Sequence, residues 1–320
     1  MAPTPEPAEH SITMWGPPAT GKTTFLAALS IALIRHGSVW CVNGADDAST
    51  EKLISLTTSL ATDRCFPPAT VGIAHYRWSL DGKLMRKVPR RRWFGSRLVE
   101  QDVRIPLNLV DSQGKLVGRQ RGGAQADLVK NLNNSSAIIF LYDPIREFDR
   151  GDAFDHTFGV LKQMSRQLAG SPGQKLPHYV AVCVTKFDEI RILSTAEKLD
   201  LISYDPDLPG FPRVADDDAR ELFGELSRIP HDSDADMVLN LLEQNFHRDR
   251  IKYFITSAIG FYVDPRIGVF DPDNYQNHLP DPDDRKGGQS QSRIRGPIRP
   301  VNVVEPLLWL AERVTSEPGK

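Results

Sequence analysis

Two kinds of apolar pattern alternate along the chain. Largely apolar runs cover Ile12–Trp15, Ala137–Tyr142 and Tyr179–Val184. Short runs of this sort, bounded by turn residues, read as strands covered on both faces, as in the middle of a parallel sheet. Strict alternation marks residues 75–80 and 102–110, the latter with Val103, Ile105, Leu107 and Leu109 on one face. Asp81-Gly82 behind the first predicts a turn. Pro106 inside the second predicts an edge strand, because proline gives no N–H to a ladder. Shorter strands are expected over 38–42 and 253–255. Helical spacing covers 23–36, with Gly37 placed to cap it, and 49–60, which stops ahead of Phe66-Pro67-Pro68. It returns over 154–168 (Phe154, Phe158, Leu161, Met164, Leu168), 215–226, 235–246 and 301–314, the last interrupted by Pro306.

This alternation predicts an α/β protein: a mostly parallel central sheet flanked by helices on both faces, with the ligand at the carboxyl ends of the strands. No internal repeat is visible. Residues 1–10, rich in proline, read as a loose leader. Two stretches exceed a minimal domain. One, about 190–248, is charged and partly helical. The other, 264–300, is rich in Pro, Asp, Gly and Ser and is expected to be a mobile loop.

Composition narrows the class further. Hydrophobic residues make up 40% and charged residues 25%, ample for a globular core. A net charge of −2 gives no global attraction to nucleic acid or membrane. The three cysteines, Cys41, Cys65 and Cys183, are too scattered for a disulfide framework or a zinc site. No stretch reaches the roughly 18 apolar residues of a membrane span. With no signal-peptide pattern at the N-terminus, a cytoplasmic location is expected.

The chemistry begins at Gly16-Pro17-Pro18-Ala19-Thr20-Gly21-Lys22-Thr23, which fits G-x-x-x-x-G-K-[ST] between a strand and a helix. A Gly-rich loop entering a helix aims backbone N–H groups and the helix dipole at one anion. Pro17 and Pro18 bring no amide hydrogens, so the donors begin at Ala19 and run to Thr24. Lys22 would reach the outer phosphates, and the Thr23 hydroxyl would ligate Mg²⁺. Three further signals follow, each behind an apolar strand. Asp111-Ser112-Gln113-Gly114 offers a carboxylate for Mg²⁺ and a glycine amide for the terminal phosphate. Thr185-Lys186-Phe187-Asp188 offers a carboxylate able to accept from guanine N1–H and its amino group, and a lysine stem to cover the base. Adenine would leave Asp188 unpaired, at a cost of a few kcal/mol. Thr256-Ser257-Ala258 brings a backbone N–H to the guanine O6. Each of the three is weak alone; their order and placement make the joint signal.

With these four motifs the chain resembles the Ras-like and wider translation-factor-type (TRAFAC) P-loop GTPases. Thr185 to Asp188 match [NT]-K-x-D, and Thr256 to Ala258 stand for S-A-K, with Ile259 in place of the lysine. The large insertions also resemble the double-GTPase proteins of bacterial conflict systems. The resemblance implies one small-GTPase-like domain over 11–320, with insertions at about 190–248 and 264–300, taking GTP or GDP with Mg²⁺. It implies further that Thr70 completes the Mg²⁺ shell beside Thr23 and Asp111; Thr50, Thr57, Thr58 and Thr62 compete for that role. Protein regulators or effectors are the expected partners, a homodimer is one option, and nucleic acid is disfavoured.

The chain departs from the pattern at Lys115, which stands where Ras-like proteins carry a water-orienting glutamine. Hydrolysis is then slow, partner-assisted, or served by Gln113 or Gln120. Pro18 would crowd an incoming arginine finger. The expected function is a GTP-dependent switch with weak turnover. The alternatives are a non-hydrolysing GTP-binding scaffold and an ATP-using P-loop enzyme. Arg86, Lys87, Arg90, Arg91, Arg92 and Arg97, interleaved with Trp93 and Phe94, form a basic cluster best read as a solvated hairpin loop. His75 and His156 lack ligand-spaced companions and read as structural.

Overall fold

Period-two burial builds the centre of the molecule. In the strand Ala137–Tyr142, residues Ile138, Phe140 and Tyr142 face one hydrophobic cluster, while Ala137, Ile139 and Leu141 face another on the opposite side. Tyr179–Val184 divides in the same way, with Val180, Val182 and Val184 against Ala181 and Cys183. A fully buried aliphatic or aromatic side chain contributes about 1.5–3 kcal/mol, so a strand buried on both faces is held at nearly every residue.

The computed structural model describes residues 10–68, 76–89, 96–109, 119–168, 173–207, 209–229, 234–279 and 293–316. Its elements begin with β1 (Ile12–Trp15), α1 (Lys22–Arg35), β2 (Cys41–Gly44), α2 (Asp47–Ala61), β3 (Arg77–Pro89), β4 (Ser96–Leu109) and α3 (Arg119–Asn134). Then come β5 (Ala137–Tyr142), α4 (Pro144–Arg150), α5 (Ala153–Leu168), β6 (Tyr179–Val184), α6 (Ile190–Lys198), β7 (Ile202–Tyr204) and β8 (Pro212–Val214). The remainder is α7 (Ala219–Arg228), α8 (Asp236–Asn245), β9 (Ile251–Ile255), β10 (His278–Leu279), β11 (Arg293–Ile294) and α9 (Glu305–Ser316). Seven strands form one sheet in the order β2-β3-β4-β1-β5-β6-β9. From β4 to β9 all neighbours are parallel; β2 and β3 are antiparallel additions. The expected α/β architecture, with helices on both faces, is therefore the observed one. Parts of α3, α5, α6, α7 and α8 fill one face, and α1, α2 and α9 the other.

Several local expectations fail, each for a physical reason. No turn occurs at Asp81-Gly82; β3 runs straight through it, pairing Gly82 with Val103. A Cβ at Gly82 would lie 2.2 Å from the Trp40 ring, so this glycine serves close packing rather than chain reversal. Pro106 lies in an interior strand, between β3 and β1. The β1 ladder starts one residue later, at Ile12 opposite Leu107, so up to Pro106 that side of β4 is not yet paired with β1. The strand expected over 38–42 begins only at Cys41, because the Ser38 hydroxyl takes the Trp40 amide at 3.1 Å. In α5 the buried stripe is Ala153, Thr157, Val160, Leu161 and Met164, while Phe158 and Leu168 are exposed. Pro306 falls in the first turn of α9, where its missing N–H has no helical partner to lose, and 301–304 are not helical.

The stretch 190–248 is packed rather than appended: Ile192, Leu193, Leu222, Phe223, Leu226, Val238 and Leu242 all join the first cluster. Within 264–300, Tyr275, Asn277, Ile294 and Ile298 are buried, so the stretches around them pack on the molecule, while 265–269 are exposed. Of the basic cluster, Arg86, Lys87 and Arg97 lie in the paired ends of β3 and β4, whose register runs from Arg77 opposite Asn108 to Pro89 opposite Ser96, while residues 90–95 lie outside the described residues.

Candidate functional site

The carboxyl ends of β1, β5, β6 and β9 lie side by side, and the sequence motifs leave the sheet there. Trp15 is in register with Phe140, Tyr142 with Val184, and Val184 with Ile255. Neighbouring strands are about 4.8 Å apart, so the loops after β1 and β6 are separated by roughly 10 Å across β5.

The loop after β1 has a fixed, compact form. Ala19 and Gly21 both take left-handed backbone, at φ 64° and 83°. A Cβ on Gly16 would sit 2.5 Å from the Leu141 carbonyl oxygen, which requires glycine there. Thr20 Oγ1 donates to the Pro17 carbonyl at 2.9 Å. Lys22 is 3% exposed, and its Nζ donates to the carbonyls of Gly16 and Pro17, both at 3.1 Å. The α1 helix opens on Gly21 with no side-chain cap and no acidic residue in its first turn. Its dipole and the Lys22 ammonium therefore favour an anion at this point. Thr23 and Thr24 are partly buried in the same turn.

The loop after β6 is bound to its neighbours on both sides. Thr185 donates to the Tyr142 carbonyl through its N–H (2.8 Å) and its hydroxyl (3.2 Å). Lys186 is left-handed at φ 63°, Phe187 is buried, and the Phe187 N–H donates to the Thr256 carbonyl at 3.1 Å. Asp188 is 8% exposed and accepts a hydrogen bond from the Ser257 hydroxyl, whose oxygen in turn accepts from the Gly260 N–H at 2.8 Å. Burial pushes the Asp188 carboxyl up to about 6, although the Ser257 bond and the Lys186 charge pull it down. Ser257 exchanges two backbone bonds with Val301, at 3.0 and 2.8 Å. Ala258 is partly buried, and Ile259 packs into a small cluster with Ala27, Ala28, Ile31, Ile294 and Ile298.

Asp143 belongs to this rim and was missed from sequence. Its carboxylate is wholly buried; Oδ1 accepts from the amides of Ile145 and Arg146 (3.0 and 3.1 Å), and Oδ2 lies 2.7 Å from Lys186 Nζ. The cap was legible as Asp-Pro after a buried strand, since proline favours the first helical position. The pairing with Lys186 was not, because it requires β5 to lie beside β6.

The described rim thus brings together Gly16, Pro17, Pro18, Ala19, Thr20, Gly21, Lys22, Thr23 and Thr24 on one side, with Thr185, Lys186, Asp188, Ser257, Ala258 and Ile259 on the other. Thr70, Asp111, Gln113, Gly114 and Lys115 lie outside the described residues, as does His75; Gln120 is the second residue of α3. Of the proposed Mg²⁺ set, Thr23 alone falls within them. Among the described residues no group of three or more His, Cys, Asp or Glu could hold a metal by itself. His156 Nε2 lies 3.5 Å from Asp152, one turn earlier in α5 or just ahead of it. Cavities of about 350 and 270 Å³ open along β9, lined by the Arg220–Glu243 and Lys252–Asp216 pairs and by Phe187 and Asn302. They share no lining residue with the loop after β1.

No protein-family profile and no curated protein matches the chain. Among solved structures it is similar to the signal recognition particle receptor SRb-GTP/SRX complex of Chaetomium thermophilum, at 15% identity over 80% of this chain and 93% of that chain, TM-score 0.35. It is also similar to the Ski7 GTPase-like domain of S. cerevisiae bound to GTP, at 13% identity over 98% of this chain and 51% of that chain, TM-score 0.38. A further likeness is to the G domain of the T. maritima FeoB iron transporter, at 15% identity over 60% and 82%, TM-score 0.22. The chain spans about half of the Ski7 chain that it matches. These are distant likenesses of chain path.

Proposed function

We propose that the protein binds GTP with Mg²⁺ along this rim and acts as a nucleotide-dependent switch. The observation that carries the reading is Asp188: a buried carboxylate, held by Ser257, on the same sheet edge as a phosphate loop ending in Lys22 and Thr23. Such a carboxylate is costly unless a ligand supplies donors, and guanine offers N1–H and its 2-amino group side by side, a pair that adenine lacks. The phosphates would lie at the α1 N-terminus, with Lys22 turned from the loop carbonyls towards them. Bound Mg²⁺ neutralises phosphate oxygens; Thr23 would hold it, with Asp111 and Thr70 as the proposed partners. Thr185 and the Asp143–Lys186 pair fix the loop that carries Asp188, and the backbone at Ala258 and Ile259 would meet the base edge.

A second reading, a GTP-binding scaffold without meaningful turnover, is favoured by Lys115, which is a poor acceptor for orienting water. Equilibrium binding of GTP, ATP and xanthosine triphosphate to wild type and Asp188→Asn tests the guanine reading. Wild type is expected to prefer GTP over ATP. The variant should lose roughly 5- to 150-fold in GTP affinity, as an unpaired buried donor or acceptor costs about 1–3 kcal/mol, and should gain xanthosine triphosphate binding. Unchanged GTP affinity in the variant would remove the argument. Single-turnover hydrolysis by wild type, Lys22→Ala and Lys115→Gln separates switch from scaffold: wild-type turnover that vanishes without Lys22, or turnover gained with Lys115→Gln, supports the switch.

A further inference from the structure

Asn277 is completely buried and uses both ends of its amide. Its Nδ2 donates to the Ile259 carbonyl at 3.1 Å, and its Oδ1 accepts from the Gly296 N–H at 2.8 Å. Ile259 follows directly on Ser257 and Ala258, so the chain around Asn277 is fastened to one of the loops of the rim. The same Ile259 carbonyl accepts from Arg299 N–H at 3.1 Å. Gly260, at φ +66°, lets the two strands of chain meet, since a Cβ there would lie 1.8 Å from the Arg299 carbonyl oxygen.

The same ribbon is fastened on its other side to the chain that leaves α2. The short strands β10 and β11 pair antiparallel, with His278 opposite Ile294. Ile294 N–H donates to the Arg64 carbonyl at 2.8 Å, and Arg293 bridges to Cys65. Residues 64–66 and 257–259, remote in sequence, are therefore held by one strap. Next to Asn277, the exposed His278 ring meets the Phe66 ring edge-on, with centroids 5.7 Å apart. Phe66 and Ala258 pack against the same small cluster. Partial burial and the Lys186 charge lower the His278 pKa, and the Glu189 charge opposes them. An exposed aromatic ring on the strap that fastens Ile259, seated on Phe66, is placed to stack on a planar base, a contact worth about 1–3 kcal/mol per base, or roughly 5- to 150-fold in affinity.

We propose that His278, seated on Phe66, forms a wall of the nucleotide-base pocket, so that the 275–279 and 293–299 strap is part of the nucleotide site. This deepens the guanine reading and rests on it. The ribbon then acts as a clamp, because the base would touch a residue whose neighbours bind both the 257–259 loop and the 64–66 segment.

The test compares GTP, GDP and inorganic tripolyphosphate on wild type, His278→Ala and His278→Phe. His278→Ala should bind GTP and GDP about tenfold more weakly, with tripolyphosphate affinity and ligand-free unfolding midpoint unchanged, and His278→Phe should restore most of the loss. In the wild-type protein, the His278 Cε1–H resonance should shift on addition of GDP but not of tripolyphosphate. Equal GTP affinity in wild type and His278→Ala overturns the clamp while leaving the guanine reading intact. A loss shared by tripolyphosphate, or a His278 resonance unmoved by GDP, also overturns it. A wild-type protein that binds neither GTP nor GDP overturns both.

Discussion

A carboxylate held near a pKa of 6 inside a folded protein has two opposite effects, and Asp188 should show both. On the proposed function its ionised form would accept from guanine, so GTP affinity should fall as pH drops below about 6, approaching tenfold per pH unit once the group is mostly protonated. Fluorescence titration with GTP between pH 5 and 8 checks this, and a flat profile would count against Asp188 as the base contact. Stability runs the other way. The folded pKa lies above the unfolded value, so the ligand-free fold holds a proton that the unfolded chain releases, and stability declines as pH rises from about 4 to about 6. The loss is on the order of 3 kcal/mol for a two-unit shift. Asp188→Asn should therefore make the ligand-free protein more stable at pH 7.5 while weakening GTP binding, and urea unfolding without nucleotide measures it. Asp188 was legible in sequence as the last residue of a Thr-Lys-Phe-Asp run; its clasp by Ser257 was not, because only the β6–β9 pairing brings residues 188 and 257 together. Asp143 shows the same limit: its capping role is local, its grip on Lys186 tertiary.

At the level of elements, the buried strands and amphipathic helices followed directly from periodicity, and the misreadings cluster where glycine or proline serves packing. Gly82 is the clearest case. Asp-Gly ordinarily turns a chain, but here the missing side chain admits the Trp40 ring against β3. Gly82→Ala should destabilise the fold by about 1–3 kcal/mol through overpacking. Most of that cost should disappear in a Trp40→Ala background, where the ring is gone. A double-mutant cycle by chemical denaturation gives the coupling, and additive losses would show that the glycine matters for backbone freedom instead. The β3–β4 hairpin was visible as two alternating runs, but its thirteen- and fourteen-residue strands were not, since charged residues outnumber apolar ones towards its far end.

For the molecule as a whole, composition proved a poor guide to packing. Charge and length marked 190–248 as an insertion beyond a minimal domain, and its helices supply Leu222, Phe223, Val238 and Leu242 to the main cluster, with α7 packed on β9. Proline and aspartate marked 264–300 as loose, yet Asn277 satisfies backbone groups that this irregular chain would otherwise bury unpaired. Far-UV circular dichroism and tryptophan fluorescence should consequently report one coincident thermal transition; an early transition confined to helix signal would mean that the 190–248 helices fold apart.

The double bond between Ser257 and Val301 bears on how the protein is made. Synthesis delivers the phosphate loop early, but the backbone that braces Ser257 emerges only after nearly all of the sheet has been translated. A nascent chain stalled before Val301 would carry the loop after β1 without the backbone partner of Ser257. On the proposed function, nucleotide capture would be postponed until the strands between them are available to fold, and a ribosome-bound intermediate would have little means of trapping GTP in a half-built site.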